Sequence, residues 1–340
     1  MRKKLAISLL SILLIMLLGI SGLASDKGVV YYLSPNQFDE MQTSASNMIQ
    51  DAVEGAGYTC RIMVAGNEDS NLQMNQLENA ITQDPVAIIV AAVDGNAIIP
   101  GVEQAKAAGI PVIVFDRVIS GTKVDFTSVA GCKRIGIMAA HKIADLLKEK
   151  YGEPKGKILD IMGDPGDSYT VLIEEGLRET MESEYPNIEI ETKIAYGWEA
   201  TTAANIADDY LLVNSDTDLI FPHADHMAVS TASVLQTKGL NKNDVMLVST
   251  AGMPSGLQLI RDGWMKATVE QPVSAQAEGV AMFLDDIIKG NKIELGSYEV
   301  LGIPAELVEQ PYGLELRISG SVITAENVDD PLFWGNQVGE

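Results

Sequence analysis

The chain has 340 residues, and 47 acidic against 24 basic side chains leave a formal net charge of −23 at pH 7. A surface of that sign repels phosphate backbones and anionic lipid, which argues against nucleic acid as a partner. With 46% apolar residues the chain buries a core instead of staying disordered, and its length exceeds what one core ordinarily serves, so two domains are expected.

Arg2, Lys3 and Lys4 open the chain, an apolar run follows from Leu5 to Ile20, and Ser21-Gly22-Leu23-Ala24 closes it. This is the layout of a secretory signal peptide over residues 1–24, cleaved near Ala24. A membrane anchor is the alternative, but sixteen residues fall short of the roughly 20 that span a bilayer comfortably. The remainder is expected in a periplasm. There, short β-rich runs alternate with amphipathic stretches. Val29–Leu33 reads as a strand, Ser44–Gly55 as a helix, Cys60–Val64 as a strand and Leu72–Gln83 as a helix. Ala87–Ala91 reads as a buried strand, Ala97–Ala108 as a helix and Pro111–Phe115 as another strand. A polar connection over Ser128–Arg134 and a long helix to Lys150 follow. The pattern then restarts with strands at Gly156–Met162, Ile188–Ala195, Asp218–Phe221 and Val245–Ser249. Such alternation predicts an α/β fold of two doubly wound parallel-sheet lobes, with ligand outside the carboxyl ends of the strands.

Cys60 and Cys132 fall towards opposite edges of the first predicted sheet, too far apart for a disulfide, and are expected to remain free thiols. His223-x-x-His226 has no supporting ligand at a familiar spacing, so neither a metal nor another cofactor is expected.

Several short motifs occur in a distinctive order: Ala87-Ile-Ile-Val90, Val93-Asp-Gly-Asn-Ala97, Ala108-Gly-Ile-Pro-Val112, Phe115-Asp-Arg117, Phe221–Met227, Arg261-Asp-Gly263, Ala267–Pro272 and Asn327–Pro331. Together they resemble the exported substrate-binding proteins of sugar ABC transporters, the ribose-binding-like group of type 1 periplasmic binding proteins. The resemblance implies lobes that close about a hinge of three chain crossings, near Gly131–Cys132, Gln271 and Glu299–Gly302. It divides the chain into a first lobe of 26–131 plus 271–299 and a second of 132–270 plus 300–340. It also implies a monomer with no enzymatic activity, whose partners are a small neutral sugar or polyol and an ABC permease. A chemoreceptor or sensor kinase is the alternative recipient.

Asp116 and Arg117 follow a buried strand and should emerge at the cleft, where a carboxylate and a forked guanidinium suit vicinal hydroxyls; a structural ion pair is the competing reading. The resemblance places Gln271 at a ligand position on a crossing and Trp198 where an aromatic covers a sugar face. Phe38 and Asn36 are candidates from the first loop, and Asp94 is a further one. The ribose group carries an arginine where Val171 stands, an asparagine at Ala224 and a Phe-Asp pair at Thr250-Ala251. Asp167, Tyr169, His223, Asp225 and Glu270 are the polar groups that could substitute, with Asp225 alternatively capping a helix. Gly166-Asp-Ser168 with a histidine base suggests an esterase as a remote rival, although the hydrophobic continuation of that motif is missing. A sugar-responsive repressor would need a basic helix-turn-helix where the leader stands.

Overall fold

The computed structural model describes residues 27–338 apart from Asp39, so the predicted leader lies outside the described residues. The first sheet is laid down by β1 (Val29–Ser34), β2 (Thr59–Val64), β3 (Ala87–Val90), β4 (Val112–Phe115) and β5 (Phe126–Ala130). These strands run parallel in the order β2-β1-β3-β4-β5. Helices α1 (Glu40–Gly55), α2 (Ser70–Ile81) and α3 (Ile99–Ala107) connect them. Along β1, Val30 and Tyr32 pack on the α1 side while Tyr31 and Leu33 pack under α2 and α3, the period-two alternation of a sheet covered on both faces. β3 and β4 are wholly apolar and wholly buried for the same reason.

At Gly131 the chain leaves this sheet. It builds α4 (Cys132–Tyr151), β6 (Gly156–Met162), α5 (Ser168–Glu184), β7 (Ile188–Ile194), α6 (Ala200–Val213), β8 (Leu219–Pro222), α7 (Asp225–Thr237), β9 (Met246–Ala251), α8 (Pro254–Arg261) and β10 (Ala267–Glu270). The second sheet is parallel in the order β7-β6-β8-β9-β10. After Gln271 the chain returns through α9 (Val273–Lys289), which covers the first sheet beside α1. It then forms β11 (Gly296–Val300), β12 (Ile303–Gln310) and β13 (Gly313–Ile318). Finally β14 (Val322–Thr324) adds antiparallel to β10 at the edge of the second sheet.

Two expectations are corrected. Residues 128–130 are not a polar connection but the end of β5, fully buried because Thr127 and Ser128 sit inside and the Ser128 hydroxyl donates to the Gln276 carbonyl at 2.8 Å. The third crossing does not fall at Glu299–Gly302, which is the tight turn between β11 and β12. β13 pairs in parallel with β5 and carries β12 and β11 with it, so residues 296–318 belong to the first sheet and the crossing lies between Ile318 and Val322. Cys60 lies on the edge strand β2 and Cys132 opens α4; both are buried and unpaired.

Candidate functional site

The carboxyl ends of both parallel sheets face one another across a narrow cavity of about 30 Å³. That is far less than the roughly 300–1,000 Å³ of open small-molecule sites, so the lobes stand closed on each other here. Asp116 and Arg117 enter from the end of β4, Asp167 and Tyr169 from the start of α5, Trp198 from a one-turn helix after β7, His223 from the end of β8, and Gln271 from the second crossing. All seven are sequence candidates.

The remaining candidates do other work. Asn36 donates to Glu68 at 2.9 Å and accepts from the Phe38 amide at 3.1 Å; neither Asn36 nor Phe38 lines the cavity, and Phe38 is 53% exposed. Asp94 caps the turn ahead of α3, accepting from the Asn96 and Ala97 amides. Asp225 is fully buried but reaches away from the cavity. Its carboxylate accepts from the Met253 amide at 2.7 Å and the Thr268 hydroxyl at 2.8 Å, so it caps α8 and ties β10 to it instead of capping its own helix. Glu270 accepts from the Trp334 amide at 3.3 Å, beneath the carboxyl-terminal tail.

Arg117 is the centre of the polar wall. Its guanidinium donates to Glu68 at 2.9 Å and to the Ala92 carbonyl at 3.3 Å, and its Nε lies 3.0 Å from the Asp167 carboxylate on the opposite lobe. Asp167 is therefore shared: one oxygen caps α5 by accepting from the Tyr169 amide at 2.8 Å, and the other reaches across the cleft. Burial works against the Arg117 charge, but Asp167, Glu68 and Asp116 more than offset it and hold its pKa above the ordinary value. Asp116 accepts from Gln271 and, at 3.5 Å, from Gln42. Burial first, and Asp167 second, push its pKa up to about 7.

The second lobe supplies a flatter wall. Tyr169 and Trp198 lie 6.1 Å apart between ring centroids, and the Tyr169 hydroxyl donates to Thr250, which in turn donates to the His223 carbonyl at 2.6 Å. Trp198 can lie flat only because Gly163 is beside it; a Cβ there would stand 2.3 Å from the indole. Among the described residues six non-glycines have positive φ, and three of them, Asp116, Trp198 and Ala251, line this cavity. Backbone held off its preferred basins marks sites that the surrounding fold has over-determined.

Four polar atoms decide what the cavity suits. Trp198 Nε1, His223 Nδ1, His226 Nδ1 and Gln271 Oε1 are buried and have no hydrogen-bond partner within the protein. Buried polar groups are ordinarily paired, and leaving one unpaired costs roughly 1–3 kcal/mol. A larger recess, lined by Gly131–Arg134 and Arg317, has no such atom among its lining residues. Gln42, Met41, His226 and Met253 also line the cavity and were not sequence candidates. The only signal for Gln42 is that it sits in the first turn of α1 among the small polar residues Thr43, Ser44 and Ser46, on a helix face that otherwise reads as core. The esterase arrangement is not assembled: Ser168 accepts from the Val118 amide at 2.9 Å, His226 bonds the Trp198 carbonyl, and His223 bonds Asp160.

Residues 29–292 match the family described as periplasmic binding protein domain. The chain is 28% identical over 233 residues to a ribose import binding protein of Bacillus subtilis, covering 68% of this chain and 73% of that protein. It is 24% identical over 271 residues to a D-apiose import binding protein of Actinobacillus succinogenes, covering 78% and 83%. Among solved structures, an ABC transporter solute-binding protein from Bacillus halodurans with bound myo-inositol superposes with a TM-score of 0.76 at 22% identity, covering 90% of this chain and 97% of that one. An arabinose-transporter binding protein from a Shewanella species gives 0.77 at 20% identity, covering 91% and 96%.

Proposed function

The chain belongs to the periplasmic binding protein family, and on that premise we propose that it captures a small neutral sugar or polyol between its lobes and delivers it to an ABC permease. The observation that carries this reading is the set of four buried, unpartnered donors and acceptors around the narrow cavity between the lobes. A compact polyhydroxy compound offers each of them a hydroxyl, which both donates and accepts. Asp116 and Gln271 hold hydroxyls from one side, with Arg117 fixing their frame, and Trp198 and Tyr169 cover an apolar ring face from the other. Asp167, through its ion pair with Arg117, is the group that senses closure, and His223 contributes the acceptor or donor at Nδ1. Residues 1–24 act as the export signal in this reading, and the protein works in the periplasm as a carrier without catalysis.

Ribose is not the preferred ligand. The polar side chains of the ribose group are replaced by Val171, Ala224 and Ala251, of which Ala224 and Ala251 line the cavity, and a hydroxyl left without its partner weakens binding steeply. Thermal shift followed by calorimetry against pentoses, hexoses, deoxysugars and polyols tests both statements. One neutral polyhydroxy compound should raise the melting temperature by mass action, with ribose at least about tenfold weaker. Response only to anionic or amino compounds would overturn the sugar reading; ribose as the tightest ligand would overturn the second.

A further inference from the structure

Behind the cavity wall, inside the second lobe, lies a cluster of which sugar binding uses only the Nδ1 edge of His223. Asp160 is in the middle of β6, His223 stands at the end of β8, and Glu174 comes from the second turn of α5. The parallel register sets Asp160 opposite Phe221, so His223, two residues further on, falls on the same face of the sheet, beneath α5. His223 Nε2 is 2.9 Å from Asp160 Oδ1 and 4.0 Å from Glu174 Oε2. One ligand atom from each of the three residues, two oxygens and a nitrogen, lie within 4.8 Å of one another. Asp160 and His223 are fully buried, and no N–H or O–H donor of a third described residue reaches Asp160 Oδ2 or Glu174 Oε2, whose two carboxyl groups face each other.

We propose that Asp160, Glu174 and His223 form a binding site for one first-row divalent cation of the zinc type. Zinc bonds of about 2.0–2.2 Å set ligand atoms roughly 3.3–3.5 Å apart on a tetrahedron, and the observed 2.9 and 4.0 Å bracket that edge. Closing the site needs displacements well under one ångström for the His–Asp and His–Glu edges. The donor set of one imidazole and two carboxylates is borderline in softness, as zinc prefers. Calcium requires six to eight oxygens and magnesium a near-octahedral oxygen shell, and three side chains including a nitrogen supply neither. The outer shell is already placed: Arg178 donates to Glu174 Oε1 at 2.7 Å, and Thr192 donates to the same oxygen at 3.4 Å, which leaves Oε2 turned to the cluster. Two carboxyl groups against a single guanidinium also leave the pocket short of positive charge, which a dication supplies. The partners of His223 are thus sixty-three and forty-nine positions away, and not its neighbour His226, whose Nε2 is engaged by the Trp198 carbonyl.

The full-length exported protein, stripped with EDTA, is titrated with zinc and separately with cobalt(II), without sugar. One equivalent should bind saturably, cobalt should give the intense visible bands of a tetrahedral N/O site, and zinc should raise the melting temperature. Glu174→Gln, which preserves shape and the contact to Arg178, should weaken affinity by more than the roughly 100-fold that bounds the loss of an outer-shell partner. Asp244→Asn, an exposed acidic control, should bind as the parent does. A pale octahedral cobalt spectrum in the parent protein, or Glu174→Gln binding as tightly as the parent, would show adventitious binding to an acidic surface and overturn the site. Because no sugar enters the titration, either result leaves the ligand reading of the cavity to its own test.

Discussion

Asp116 sits where three constraints meet: a positive φ of 68°, two amide donors and a neighbouring carboxylate across the cleft. A side chain that costly to place should matter most to whatever the cavity holds. Asp116→Ala is expected to leave the protein folded and to weaken its ligand by roughly 1–3 kcal/mol or more, about fivefold to 150-fold or more. Calorimetry on the variant measures it, and undiminished affinity would remove Asp116 from the site. Much of this wall is legible in the sequence, because Asp116, Asp167 and His223 follow strands whose apolar runs are plain, and strand carboxyl ends are where α/β sheets bind; Gln271 follows Ala267–Glu270, which has no such run, and only the family resemblance points to it. What is not legible is how each side chain is spent. Asn36, Asp94 and Asp225 are as polar and as close to strand ends as the others, yet they serve Glu68, a turn and α8. Only the register and the packing of neighbours separate those roles.

Helices α4 and α5 meet along a seam that depends on two glycines. A Cβ on Gly136 would stand 2.1 Å from the Ile173 carbonyl oxygen, and one on Gly176 would stand 2.1 Å from that of Lys133. The two backbones therefore touch, and no side chain can move aside to make room. Gly176→Ala should destabilise the protein by roughly 1–3 kcal/mol or more, the cost of overpacking. The same exchange at Gly55, at the end of α1 with nothing within 4 Å of the added carbon, should instead stabilise by up to about 1 kcal/mol through chain entropy. Denaturant midpoints of the two variants should move in opposite directions; a Gly176→Ala midpoint at or above the parent's would mean that the helices can separate at no cost. The regular strand–helix units are legible from periodicity, and their observed bounds differ from the predicted ones by a few residues at most helix starts. The strands that escape are those without an apolar run. β5 hides two buried hydroxyls, β11 and β12 place an exposed side chain at every second position for most of their length, and β13 mixes Glu315 and Arg317 with its apolar residues, so nothing in the pattern says which lobe they join. Pairing of β13 with β5 decides that, and pairing over nearly two hundred residues leaves no local signature.

For the molecule as a whole, acid should stabilise. Burial raises the pKa of Asp116, Asp225 and Glu270 to about 7 each, against ordinary values of 3.8 for Asp and 4.5 for Glu. Between those limits the folded state holds protons that the unfolded chain releases, so stability rises as pH falls through 7, is complete below about 4, and is lost as pH climbs back through 7. Asp285, which the Tyr58 hydroxyl and then Lys27 hold below the usual range, acts in the opposite sense, but it is ionised in both states throughout this window. Melting temperature should therefore increase from pH 8 to pH 5 by several degrees, at roughly 2–4 °C per kcal/mol, and Asp225→Asn should flatten the rise. A melting temperature that falls over that range would contradict the assigned burial of these groups. The placement of β13 has a consequence of a different kind, in the order of manufacture. A chain synthesised amino end first delivers residues 27–130 before residues 313–318 have been made. Until they are, β5 presents a bare edge, and bare edges invite pairing with other chains. The second sheet, by contrast, lies in one continuous stretch from α4 to β10 and lacks only β14, a strand of three residues at its rim. The lobe delivered first is the lobe finished last.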